Sequence, residues 1–171
     1  AQTLFFVLIL IAFMLVMMLN LSTILLSFGA LLLASVYPFT KRYTHFPQVV
    51  LGAAFSWAIP MAAMATLETL PIWVWWLYLA NLLWTVAYDT QYAMVDREDD
   101  ISIGVKSTAV LFGQYDRVII SGLQLATLGI LVWVGVLTSI NWIFFVALFI
   151  SAVLFIQQQW SIRHRDRDAC F

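Results

Sequence analysis

Charge is what this sequence has least of. Of 171 residues only 10% are Asp, Glu, Lys or Arg, while 64% are hydrophobic, and the mean hydropathy is +0.97. A water-soluble domain carries roughly a quarter charged residues, so that class is excluded. Proline occurs four times and cysteine once, which leaves few helix-breaking positions and no possible intramolecular disulfide. The single cysteine, Cys170, is assigned no role. His45 and His164 lack the spacing of a transition-metal site. No methionine and no basic n-region precede the first apolar run. Ala1–Leu19 is therefore expected to be a spanning helix rather than a signal peptide, in a chain that begins within a longer protein. There is no short repeat and no soluble domain, and neither a nucleic-acid partner nor an obligate protein partner is expected.

What is present is a series of apolar runs of about 20 residues, the length that crosses a hydrocarbon core. The fold class is all-α, a polytopic transmembrane helical bundle forming one domain over residues 1–171. Six crossings are expected: 1–19, 21–39, 47–66, a fourth from Pro71 towards Asp89, 117–137 and 142–160. Pro38 discourages continuation of the second helix, Pro47 suits the first turn of the third, and Pro60 should kink it. Lys41, Arg42, Arg97, Lys106, Arg117, Arg163, Arg165 and Arg167 then all fall on one side, which the positive-inside tendency makes the cytoplasm. Loops at about 40–46 and 89–116 lie there. The C-terminal arginines are read as topology signals alone. Trp73, Trp75, Trp76 and Tyr78 mark the opposite interface.

One stretch departs from this pattern. Asp89 to Asp100 packs five acidic side chains into twelve positions. A helix continuing through it would line up Asp89, Tyr92, Ala93, Asp96 and Asp100 on one stripe, with Glu98 opposite. Asp96 and Asp100, one turn apart, repel each other unless a cation lies between them. A solvated acidic loop is the other reading. Asn81, Thr85 and Asp89 extend the stripe into the apolar region, where polar groups line a cavity or hydrogen-bond a neighbouring helix. Paired carboxylates suit Mg²⁺, which takes oxygen ligands and is often completed by substrate phosphates. Lys41, Arg42 and Lys106 share that side and suit an anion. A cation transporter would spread ionisable groups through the bilayer depth, whereas here they gather at one surface.

Three segments then carry a resemblance: Tyr37–Gln48 (YPFTKRYTHFPQ), Asp89–Asp100 (DTQYAMVDREDD) and Gly104–Ala109 (GVKSTA). Together they resemble the UbiA superfamily, nearest its bacterial branch that prenylates 4-hydroxybenzoate, through essentially the whole chain. The resemblance implies a nine-helix fold, of which this chain would hold the third to the eighth. It implies Mg²⁺ as cofactor, polyprenyl diphosphate and 4-hydroxybenzoate as substrates in ubiquinone synthesis, and a place in the bacterial inner membrane with the site facing the cytoplasm. Asp96 and Asp100 match the second aspartate-rich motif, with Asp89 and Asp99 as supporting metal carboxylates. Tyr37, Lys41 and Arg42 match the basic element at the cavity mouth. Arg42 is the candidate for the aromatic acid's carboxylate and Lys106 for diphosphate oxygens, while Asn81, Tyr92 and Trp57 are candidates for lining the route. The family's first motif, Asn-Asp-x-x-Asp-x-x-x-Asp, does not occur in this sequence, so the polypeptide alone is expected to be inactive. Homogentisate, naphthoate or haem relatives are the rival acceptor classes.

Overall fold

A computed structural model of the chain describes residues 2–166 and 170, except the side chains of Gln2, Phe5 and Lys41. Arg167 and Asp168 of the basic tail lie outside the described residues. Among the described residues nine α-helices follow in order: α1 Gln2–Val16, α2 Leu21–Tyr43, α3 Pro47–Ser56, α4 Ala58–Leu67, α5 Ile72–Val95, α6 Arg97–Ile103, α7 Thr108–Phe112, α8 Asp116–Leu137 and α9 Trp142–Ser161. Among the described residues there is no strand. Apolar surroundings offer backbone groups no water, so such runs fold into helices that satisfy their own amides.

Among the described residues four stretches are long and apolar enough to cross a membrane: Leu21–Thr40, Pro47–Leu67, Thr108–Leu137 and Trp142–His164. The other two expected crossings do not meet that standard. The described part of α1, 15 residues, covers about 22 Å at a rise of 1.5 Å per residue. The reason differs for α5, whose 24 residues suffice in length but include Asn81, Thr85, Asp89, Thr90 and Gln91. Its polar side chains turn inward instead. Thr85, Thr90 and Gln91 are buried, and α5 is the central helix, packed most extensively on α8 and α3.

Local sequence explains most helix ends. Asn20 caps α2 by accepting from the Thr23 N–H at 2.9 Å, and its amide donates to the Met64 carbonyl of α4 at 2.8 Å. Pro38 does not stop α2, which runs on to Tyr43. The buried Thr40 hydroxyl donates to the Tyr37 carbonyl within the same helix at 2.6 Å. Lys41 and Arg42 are thus in the last turn of a helix rather than in a loop, where cations suit the C-terminal dipole. The connection that remains is only Thr44 to Phe46.

Pro60 acts as expected but one turn upstream. Lacking an N–H and crowding the Ser56 carbonyl, it separates α3 from α4 at Trp57. The displaced Trp57 indole donates to the Leu26 carbonyl of α2 at 2.8 Å and lies over Gly29, where an added Cβ would come within 2.7 Å of the ring. Trp57 therefore packs helix on helix. Gly29→Val is expected to destabilise the bundle by about 1–3 kcal/mol through overpacking, read as a lowered melting temperature in detergent. An unchanged melting point would show that this contact is slack.

Candidate active site

The acidic stretch does not continue α5. At Asp96 the backbone leaves the helix (φ −100°, ψ 9°), and α6 begins at Arg97. Glu98, Asp99 and Asp100 occupy the first turn of α6, where the positive end of the helix dipole offsets their crowding. The Asp100 N–H still donates to the Asp96 carbonyl at 2.8 Å, so both side chains leave one turn of backbone. Asp96 is exposed and Asp100 half-buried. Among the described residues neither carboxylate accepts a hydrogen bond or pairs with a cation. Their oxygens are available to a ligand.

Behind them the chain folds back on itself. Gly104, at φ 73°, ends α6 in the left-handed conformation, and the Val105 N–H reaches the Asp100 carbonyl at 2.9 Å. Ser107 then caps α7, accepting from the Val110 N–H. Inside this turn the Thr108 N–H donates to the Gln48 side chain at 3.1 Å, and the Thr108 and Thr90 hydroxyls meet at 2.6 Å. These buried bonds fix α7 to α3 and α5. They bring the Lys106 ammonium to the Tyr43 carbonyl at the end of α2, 3.4 Å away. Lys106 thus stands beside the turn that carries Arg42, which is exposed, and Lys41. Half-buried Tyr37 lies within electrostatic reach of Asp89 and Tyr88.

Between α5, α8 and α9 runs a trough. Its deeper part is a cavity of about 470 Å³ walled by Leu77, Asn81, Trp84, Thr127, Leu131 and Phe155. A second part of about 500 Å³, sharing Trp84, Leu154 and Phe155, adds Tyr88, Tyr92, Gln124 and Gln158. Trp84, Tyr88 and Tyr92 stack edge to face along α5, with ring centroids 5.5 and 6.2 Å apart. Tyr92 is one turn from Asp96. Asn81 has two surroundings at once: it borders the cavity, and its amide donates to the Ser56 hydroxyl of α3 at 3.0 Å. No three Asp, Glu, His or Cys side chains converge on a point among the described residues, so Asp89, Asp96, Asp99 and Asp100 do not form one cage.

Sequence reasoning missed a second charged centre. Asp116, 0% exposed at the start of α8, takes the guanidinium of Arg97, that of Arg165 at 2.9 Å and the Arg117 N–H at 2.6 Å. Arg163 stacks over the Trp160 ring at 5.1 Å. Arg163 and Arg165 are therefore contact-making groups, not signals of topology alone. Cys170 also has a place, buried in a core with Ala87, Met94, Ala109, Ile120 and Ile162. That burial pushes its thiol pKa up and leaves it a packing group. The available signal was a lone aspartate opening an apolar run, which is unfavourable there unless paired.

Comparison with known proteins decides what kind of chain this is. The model of the UbiA prenyltransferase family matches residues 1–171. The chain belongs to that family. It is 62% identical to the 4-hydroxybenzoate octaprenyltransferase of Pseudoalteromonas atlantica, covering all of this chain and 60% of that protein. It is 60% identical to the octaprenyltransferase of the same name from Klebsiella pneumoniae, again over the whole chain and 59% of the relative. This UbiA chain thus spans about three-fifths of the length of the curated relatives it matches. The fold agrees with a solved structure, the apo form of a UbiA homolog from Aeropyrum pernix K1, at a TM-score of 0.79 and 23% identity, over 92% of this chain and 61% of that one.

Proposed function

We propose that this chain supplies the second aspartate-rich part of an enzyme that moves a polyprenyl group from its diphosphate to 4-hydroxybenzoate, at the ring carbon ortho to the hydroxyl. The product is a ubiquinone precursor, and the site faces the cytoplasm from the bacterial inner membrane. The observation that carries this reading is a pair of uncompensated carboxylates, Asp96 and Asp100, the first of them four positions after Tyr92, which lines the aromatic-walled trough. The relatives' names support an octaprenyl donor and this acceptor.

Two acidic side chains on one turn suit Mg²⁺, which commonly takes one or two carboxylates and completes its shell with phosphates. Asp96 and Asp100 would hold it, with Asp89 and Asp99 in support. When bound, the ion supplies Lewis-acid neutralisation of the diphosphate leaving group. Lys106, exchanging the Tyr43 carbonyl for a phosphate oxygen, binds the same group. Arg42 takes the carboxylate of the aromatic acid. Trp84, Tyr88, Tyr92 and Phe155 flank the isoprenoid and keep water from the allylic carbon. The ring carbon attacks as the carbon–oxygen bond to diphosphate breaks, and the ring then loses its proton.

The test is an acceptor panel with radiolabelled octaprenyl diphosphate and the complete enzyme carrying this sequence. Product is expected with 4-hydroxybenzoate and Mg²⁺, is expected to vanish on chelation with EDTA and to return when Mg²⁺ is restored. Transfer to homogentisate or a naphthoate in preference would overturn the acceptor. Full activity after chelation would overturn the metal. The 171-residue chain alone is expected to form no product, because its carboxylates do not by themselves surround a cation.

A further inference from the structure

Helix α6, which bears Asp99 and Asp100, buries none of its residues. Packing therefore does not set its direction. It is also flanked by two breaks in the helical backbone, Asp96 before it and Gly104 after it. A short exposed helix between two such joints can swing. One group that opposes that motion is Arg97, its first residue and the neighbour of Asp96, whose guanidinium is 20% exposed and donates to the fully buried Asp116.

Asp116 is in turn held from three directions. Arg165, from the segment after α9, donates through Nη2 to Oδ1 at 2.9 Å and through Nε to Oδ2 at 3.1 Å, and also reaches the Gln114 carbonyl at 3.0 Å. The Arg117 N–H completes the set at 2.6 Å. Arg165 grips the carboxylate in a two-pronged fork and so fixes its orientation; the Arg97 guanidinium donates to that fixed carboxylate through Nη2 alone. We propose that Asp116 is a positioning residue: through Arg97 it fixes the direction of α6, and with it the spacing of Asp96 and Asp100, and through Arg165 it ties both to the segment after α9. This rests on the reading of Asp96 and Asp100 as metal carboxylates.

The experiment compares wild type, Asp116→Asn, Arg97→Gln and the double variant of the complete enzyme in nanodiscs. Amide hydrogen exchange over residues 97–103 is expected to quicken at least tenfold in each variant, while exchange in α8 changes little. Half-saturation by Mn²⁺, read by electron paramagnetic resonance, is expected to rise at least tenfold. The KM for the prenyl diphosphate should rise with it, and the KM for the aromatic acid should hold. The double variant should be no worse than Asp116→Asn, because both substitutions cut one connection, and Arg97→Lys should recover part of the loss. Should Asp116→Asn fail to fold, Arg97→Gln carries the test, since Asp116 keeps Arg165. Unchanged exchange and unchanged Mn²⁺ affinity in folded Arg97→Gln protein would overturn the proposal, as would losses that add in the double variant. If α6 loosens while wild type itself binds no Mn²⁺, the connection stands and the metal reading fails.

Discussion

Asp96→Ala and Asp100→Ala, each made in the complete enzyme, are expected to lower turnover by at least a thousandfold while leaving the protein folded. Groups that merely orient metal ligands change affinity or activity 10–100-fold when removed, so loss of a ligand itself should exceed that. Stability should move the other way, if at all. Asp96 precedes α6 but its side chain makes no capping hydrogen bond. Like charges one turn apart repel by a few tenths of a kcal/mol, so removing either one relieves a small strain. The expected signature is thus a collapsed rate with an equal or slightly raised melting temperature. Turnover in either variant within threefold of wild type would remove Asp96 and Asp100 from the chemistry. A parallel fall in melting temperature would assign them to folding.

Much of the helical layout was legible because in apolar surroundings length and composition nearly determine secondary structure. Asn20 between two apolar runs, Gly104 after the acidic cluster and Ser107 before α7 each mark a helix end by local chemistry alone. What was not legible is whatever depends on partners distant in the chain. Pro38 lies inside α2, which runs on past it, and Pro60 breaks the helix at Trp57, whose indole finds the Leu26 carbonyl 31 positions away. α5 was legible as a long helix. Its place at the centre depends on α3 and α8 covering Thr85, Thr90 and Gln91, which no window of its own sequence shows. The acidic stripe was read from an uninterrupted helix, and the break at Asp96 follows from crowding Glu98, Asp99 and Asp100 into a new first turn. The motifs named the carboxylates. They did not show the aspartate that holds them in place.

Removal of that aspartate has the second large expected effect, on stability. Truncating one partner of a buried ion pair typically costs about 3–5 kcal/mol, because the remaining charge is left without compensation. Asp116→Ala would leave the Arg97 and Arg165 guanidiniums facing one another over an empty site. Arg165 is 37% exposed, so water screens part of that repulsion and the lower end of the range applies. For a chain of 150–250 residues that corresponds to a fall in melting temperature of about 6–12 °C. Arg165→Gln should do less, about 1 kcal/mol, since Asp116 keeps Arg97 and the Arg117 N–H. The telling variant replaces all three charges by apolar groups of similar size: Asp116→Leu, Arg97→Met and Arg165→Met together. Buried triads so replaced are often neutral or stabilising, because no desolvated charge remains. This triple variant is therefore expected to melt within a few degrees of wild type, far above Asp116→Ala. Prenyl transfer should nonetheless stay low, because methionine at position 97 cannot tie α6 to the start of α8 as a guanidinium paired with Asp116 does. A triple variant with both wild-type melting and wild-type turnover would reduce the charged centre to a replaceable packing element. Stability regained without activity would separate its contribution to folding from its hold on the acidic turn.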